Sequence, residues 1–258
     1  MVPFSFCGDE MRLLHGRAVF WSRESALLVA DLHLEKASFH AAGGQMLPPY
    51  DSRDTLERVA LAIRDTGARR VYALGDSFRD PAAPARMEPH TTGMLAALTR
   101  AVSWVWVTGN HDAGAEKSVG GDMVEEIRTG GLVLRHRACP KEATPEISGH
   151  FHPKLMVRAR GRRIARPCAV RASGGRNGTG GRLVLPAFGT LAGGMDAADP
   201  AIVAAMQPAR AIDALVASGS RLVSYPLWRA GAGSGLRQGD LRARENTHPI
   251  LALGDGPV

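Results

Sequence analysis

Short apolar runs recur along the chain, each ending at a polar turn that contains glycine. Residues 26–30 (ALLVA), 71–74 (VYAL), 102–107 (VSWVWV) and 132–134 (LVL) are rich in β-branched or aromatic side chains and predict buried strands. Between the first two, Leu56, Val59, Ala60 and Ile63 fall at helical spacing, with Asp54 and Glu57 three residues apart as a capping pair. Residues 89–100 predict a second helix leading into the Trp-containing strand. Strand and helix therefore alternate through the N-terminal half, as in an α/β protein.

The pattern changes after residue 150. Short strands at 154–158, 162–165 and 182–185 are separated by turns instead of helices, which predicts a mostly antiparallel sheet. Residues 173–181, with five glycines, read as a flexible hairpin tip; as a nucleotide-binding loop they lack the helix that should follow. Residues 211–218 predict a helix and 221–225 a last strand. Beyond Trp228 glycine, arginine and proline accumulate without periodicity, so one domain is expected over 1–228 and a loosely held tail over 229–258.

Composition adds a charge argument. The 258-residue chain carries a formal net charge of +7, which draws in anionic partners, nucleic acid first and a soluble phosphate ester second. The excess is mostly arginine, suited to forked phosphate contacts, although base bias in a genome also enriches arginine. Three widely spaced cysteines with no C-x-x-C pair suggest neither a disulfide framework nor a zinc knuckle. A reducing cytoplasm fits. The N-terminus lacks a basic region leading into an apolar core, and no apolar stretch approaches the roughly 18 residues of a membrane span.

Candidate chemistry sits where the predicted strands end. The first runs into Asp31-Leu-His33, the second into Gly75-Asp76, and the third into Gly109-Asn-His-Asp112. That edge is where sites form in open α/β sheets. A fourth cluster, Gly149-His-Phe-His152, follows a short run at 146–148; in an extended segment His150 and His152 point the same way. Each cluster alone is a weak signal, and their order and placement carry the weight. Mixed oxygen and nitrogen donors suit Mn²⁺, Fe²⁺ or Zn²⁺ better than Ca²⁺.

With D-x-H, G-D, G-N-H-D and G-H-x-H in this order, residues 26–153 resemble the calcineurin-like metallophosphoesterase superfamily. The segments at 30–38 (ADLHLEKAS), 47–51 (LPPYD), 74–78 (LGDSF), 147–153 (ISGHFHP) and 185–189 (LPAFG) narrow the resemblance to the DNA-ligase-associated metallophosphoesterases of bacteria. The resemblance implies an α/β fold built as a four-layer αββα sandwich, with two mixed sheets flanked by helices. It also implies two divalent metal ions, most simply Mn²⁺. Asp31, His33, Asp76 and His152 would hold one ion; Asp76 would bridge to a second held by Asn110, His150 and His136, the last otherwise a surface histidine. Such a pair would activate a shared water for in-line attack on phosphorus. His111 would act as general acid, with Asp112 orienting it or else merely capping the loop. The narrower family has G-D-S-F-H-D where this chain has Gly75-Asp-Ser-Phe-Arg79-Asp80, so Arg79 would meet a substrate phosphate and Asp80 would support a ligand.

Eight arginines follow the last metal motif, at 158, 160, 162, 163, 166, 171, 176 and 182. Some must share a sheet face; a basic stripe led by Arg160 and Arg163 would bind a phosphate backbone, the alternative being a solvated surface. Phe39, Phe78, Phe151 and Phe188 are the aromatics available for stacking bases. The resemblance implies an endonuclease on single-stranded DNA in repair, working beside a ligase, a helicase and an exonuclease. A phosphodiesterase for a small nucleotide or a lipid-linked diphosphate is the main rival. A scaffold without catalysis is disfavoured because every ligand position is filled.

Overall fold

The computed structural model describes residues 1–14, 17–110, 119–159, 162–174 and 181–231. The chain opens with an antiparallel meander, β1 (Val2–Phe6), β2 (Asp9–Leu14), β3 (Ala18–Trp21) and β4 (Ala26–Val29). Helices α1 (Lys36–Ala42) and α2 (Asp51–Thr66) cross to β5 (Arg70–Leu74), and α3 (Ala83–Arg86) and α4 (Pro89–Ala101) cross to β6 (Ser103–Val107), with β7 (Asp122–Val124) beyond. From β4 to β7 the pairing is parallel, and the seven strands lie in chain order in one sheet.

A second seven-stranded sheet has the order β17-β16-β13-β14-β10-β9-β8. Its members are β8 (Glu126–Thr129), β9 (Leu132–Arg135), β10 (Glu146–Ser148), β13 (Ala169–Ser173), β14 (Arg182–Val184), β16 (Ala211–Ser218) and β17 (Arg221–Arg229). A three-stranded sheet holds β11 (Pro153–Ala159) between β12 (Arg162–Pro167) and β15 (Met195–Asp196), and α5 (Pro200–Ala205) precedes β16.

Alternation within single strands assigns the layers. Leu27 and Val29 of β4 join Leu56 and Val59 of α2 and Trp104 and Trp106 of β6, on the helix side. Leu28 and Ala30 face the other way and meet Leu134, Ile147, Leu183 and Leu215 of the second sheet. The far side of that sheet packs Val170, Val184 and Ile212 against Ile202 of α5 and Leu155 of the small sheet. The result is the expected α/β sandwich of four layers, with one short helix and the small sheet as the outer cover of the second sheet. Among the described residues no helix is long and apolar enough to cross a membrane.

Several local expectations are corrected. Residues 211–218 form β16, not a helix: Ile212, Leu215 and Val216 fall at helical spacing, but Ile212 and Leu215 are buried on opposite faces of a strand paired with β13 on one side and β17 on the other. Asp54 and Glu57 do not cap α2, which begins at Asp51 after Tyr50 with no side-chain cap. The second sheet is mixed, because β10 pairs in parallel with both β9 and β14. The last strand, expected over 221–225, runs on to Arg229. Of the tail, residues 232–258 lie outside the described residues, as do 175–180 of the expected hairpin tip.

Candidate metal centre

The loops leaving β4 and β5 are laced together by their backbones. Asp31, His33 and Leu34 donate N–H to the carbonyls of Gly75, Asp76 and Ser77 at 3.1, 3.0 and 2.9 Å, and Arg79 donates back to Leu34 at 3.0 Å. The loop after β10 closes over them, with both carboxylate oxygens of Asp31 accepting from the His150 N–H at 3.1 and 2.9 Å. Such close approach explains the motif glycines. A Cβ at Gly75 would stand 2.2 Å from Nδ1 of His136, and one at Gly149 would stand 2.6 Å from Oδ2 of Asp31.

These loops bring six predicted residues into two groups, Asp31 with His33 and His152, and Asp76 with His136 and His150. Nε2 of His33 is 3.2 Å from Nε2 of His152, and Nδ1 of His150 is 3.0 Å from Nε2 of His136. Carboxylate to imidazole distances are 3.5 Å for Asp31 and His152 and 3.6 Å for Asp76 and His136. An ion with bonds of about 2.1 Å spaces neighbouring donors about 3.0 Å apart at right angles and about 3.4 Å apart at tetrahedral angles. The observed separations fit. His136 also turns Nδ1 to the Leu74 carbonyl at 3.2 Å, so that Nε2 of the neutral ring offers its lone pair to the group.

Electrostatics point the same way. Asp31 is fully buried, and burial raises its pKa; contact with His152 opposes the rise and nearby Asp76 adds to it. His150 is pushed down to about 4, by burial first and then by repulsion from His136 and Arg137, which keeps its ring neutral and able to ligate. Two neighbouring carboxylates and four imidazoles call for cations. The backbone is also bent for the purpose: of eight described non-glycine residues with positive φ, five are Asp31, His33, Asp76, His150 and His152, at 46–74°.

The other predicted residues divide. Asn110 is exposed, three residues beyond β6, where the chain at Gly109 presses on the backbone and carboxylate of Asp76. His111, Asp112, Arg160 and Arg176 lie outside the described residues. Asp80 supports no ligand among the described residues. Its carboxylate takes Arg86 at 3.0 Å and the Ala82 N–H at 2.9 Å, and the Arg86 contact holds its pKa down. The arginine run is not one stripe, because Arg182 is buried on Glu146 at 2.8 Å. Arg158 and Arg163 stand directly opposite each other, hence on the β11 face that Lys154 and Met156 share, whereas Arg162 and Arg166 take the other face. Of the four phenylalanines, Phe78, Phe151 and Phe188 are buried in the core and cannot stack bases. Phe39 is exposed, with the Arg79 guanidinium 4.7 Å from its ring centre.

Sequence reasoning missed the support beneath His33. Glu35, at φ 63°, gives its N–H to Ser52 Oγ at 2.7 Å and accepts from that hydroxyl at 2.8 Å, while Asp51 accepts the Ala37 N–H at 3.1 Å. The signal was present in the L-E-K and P-P-Y-D segments, which carry no chemistry until folding joins them.

Among solved structures the chain is similar to the nuclease MPE of Pseudomonas putida, at 27% sequence identity and a TM-score of 0.64. The match covers 87% of this chain and 98% of that one. A phosphoesterase of E. coli, Yfce, matches at 13% identity and a TM-score of 0.41, over 79% of this chain and 99% of that one. No family model and no curated protein matches. The fold, mixed sheets flanked by few helices, is of the metallophosphoesterase type.

Proposed function

We propose that the chain is a divalent-metal-dependent phosphodiesterase that cuts single-stranded DNA internally, with Mn²⁺ as its working ion. The observation that carries this reading is the pair of ligand groups, Asp31, His33 and His152 beside Asp76, His136 and His150, on loops that leave strands of both seven-stranded sheets. Likeness to a nuclease over nearly the whole of both chains supports it. Asn110 is assigned to the second group, and Asp76 to both. Two divalent ions held there would supply Lewis acidity toward the phosphoryl oxygens and an activated water.

The chain's own residues do the rest. The Asp31 carboxylate, held by the His150 N–H, and His136, held by the Leu74 carbonyl, keep the donors in place before substrate arrives. Arg79 would meet the phosphate, and His111 would protonate the leaving oxygen with Asp112 steadying its ring. Arg158 and Arg163, about 20 Å along β11 from His152 at 3.3 Å per residue, would hold the backbone further on, and Arg160 is assigned the same role. Partners in this reading are DNA and the ligase, helicase and exonuclease of a repair pathway.

The test is circular single-stranded DNA with Mn²⁺. Linearisation is expected, and His111→Ala should cut turnover while leaving bound metal intact. If a small diester is cleaved but the circle is not, the substrate is a small nucleotide or lipid-linked diester instead.

A further inference from the structure

The stretch from the end of α1 to the start of α2 carries an exposed apolar surface beside the metal centre. Of five large hydrophobic side chains exposed among the described residues, Phe39, Met46 and Tyr50 fall within it. Phe39 borders a cavity of about 500 Å³ together with His40, Gln45, Asp80 and Arg86. Hydrogen bonds fix that cavity to the ligand loops. His33 and Leu34 donate to the carbonyls of Asp76 and Ser77 at 3.0 and 2.9 Å, and the Arg79 N–H donates to Leu34 at 3.0 Å. The Arg79 guanidinium then lies 4.7 Å from the centre of the Phe39 ring. Three residues of loop and three of helix separate His33 from Phe39, so their Cα atoms are at most about 16 Å apart.

The walls of the cavity combine two kinds of chemistry. The Phe39 and His40 rings meet edge to face, with 5.6 Å between centres. Asp80 and Arg86 form a fixed polar pair: the guanidinium donates to the carboxylate at 3.0 Å and to Ser38 Oγ at 3.1 Å, and the carboxylate also accepts the Ala82 N–H at 2.9 Å. An exposed aromatic ring beside such a pair suits a flat ligand with a π face and a hydrogen-bonding edge, which describes a nucleobase. A bare phosphate would gain nothing from the rings, and an aliphatic chain nothing from the ion pair. We propose that this cavity is a base subsite, in which Phe39 stacks on an unpaired nucleobase close to the scissile phosphate. A paired base is already stacked within its duplex and must be unstacked to enter, so the subsite selects single strands. This rests on the phosphodiesterase reading above.

Thymidine pentanucleotides with one abasic deoxyribose, placed at each position in turn, test this because all carry the same charge and differ only in the missing base. Products are resolved by length, so each linkage is followed separately. With Mn²⁺ the wild-type protein should lose roughly fivefold or more in kcat/KM at a linkage when the base at one fixed offset from it is removed. Phe39→Leu, similar in volume but not aromatic, should draw the ratio of intact to abasic substrate toward one, while Phe39→Tyr keeps it. A second measurement needs neither catalysis nor metal. In chelator, calorimetry should find the pentanucleotide bound roughly fivefold or more tightly than a fully abasic pentamer, a preference that Phe39→Leu removes. Abasic residues without effect at every position, or ratios that Phe39→Leu leaves unchanged, overturn the subsite and leave the phosphodiesterase reading standing. If wild type cleaves neither these substrates nor a small diester, that reading falls, and the binding comparison decides the subsite by itself.

Discussion

Ser52→Ala tests whether the loop bearing His33 is held from behind. The hydroxyl accepts the Glu35 N–H at 2.7 Å and donates to the Glu35 carboxylate at 2.8 Å, and both residues are buried, at 8% and 4% exposure for Glu35 and Ser52. Glu35 is left-handed, a conformation that costs a non-glycine residue about 1–2 kcal/mol and persists only where neighbours enforce it. Removing Oγ leaves one buried donor and one buried carboxylate oxygen each short of a partner, at about 1–3 kcal/mol apiece. The Asp51 contact with the Ala37 N–H survives and limits the damage. A loss of about 2–4 kcal/mol is expected, or a fall in Tm of roughly 4–16 °C for a chain of this size. Denaturant unfolding in chelator measures the first quantity. Metal titration measures the consequence, because ions held by Asp31, His33 and His152 should weaken while the Asp76 group, carried on the β5, β9 and β10 loops, keeps its affinity. A loss below about 0.5 kcal/mol, or equal weakening of both groups, would refute the lock.

Two further outcomes follow from single contacts. Gly149→Ala puts a methyl 2.6 Å from the Asp31 carboxylate and 2.7 Å from Ala30 Cβ, so it should cost about 1–3 kcal/mol and reduce bound metal per chain; full metal content in the purified variant would contradict the packing argument. Glu142 is held down to about 2, first by the Thr144 N–H and then by Arg128. Its folded pKa lies below its ordinary 4.5, so its contribution is present above that value and is lost as the pH falls toward about 2. The stability gap between wild type and Glu142→Gln should therefore close across that window in acid unfolding, and a gap independent of pH would disprove the assignment.

What was legible in the sequence follows from where the pattern is redundant. Strands β4, β5 and β6 are buried on both faces and so appear as unbroken apolar runs, and each delivers its ligand motif directly at its end. The meander of β1 to β3 went unread because Pro3, the turn at Cys7 and Gly8, and the turn before β3 break it into pieces of four to six residues. β16 was misread because a run rich in alanine fits a helix until two neighbouring strands claim its edges. The order of the motifs announced a metal site, and the division of its histidines, His33 with His152 and His136 with His150, came from the family resemblance and not from the spacing.

That pairing depends on backbone conformations that carry no local signal. Asp31, His33, Asp76, His150 and His152 are all left-handed, and neither aspartate nor histidine requires this as glycine would permit it. At about 1–2 kcal/mol each, five such residues cost roughly 5–10 kcal/mol, as much as the net stability of many domains. Extended or helical values would relieve that cost, but they would also swing the imidazoles of His33 and His152, and of His136 and His150, off their common points. The strain is therefore tied to the ligand geometry and not to the fold, whose sheets close through β4, β5 and β10 before any of these residues is reached. A cation bound at each point returns free energy only to the bent conformation, which is why metal and loop shape should be lost together.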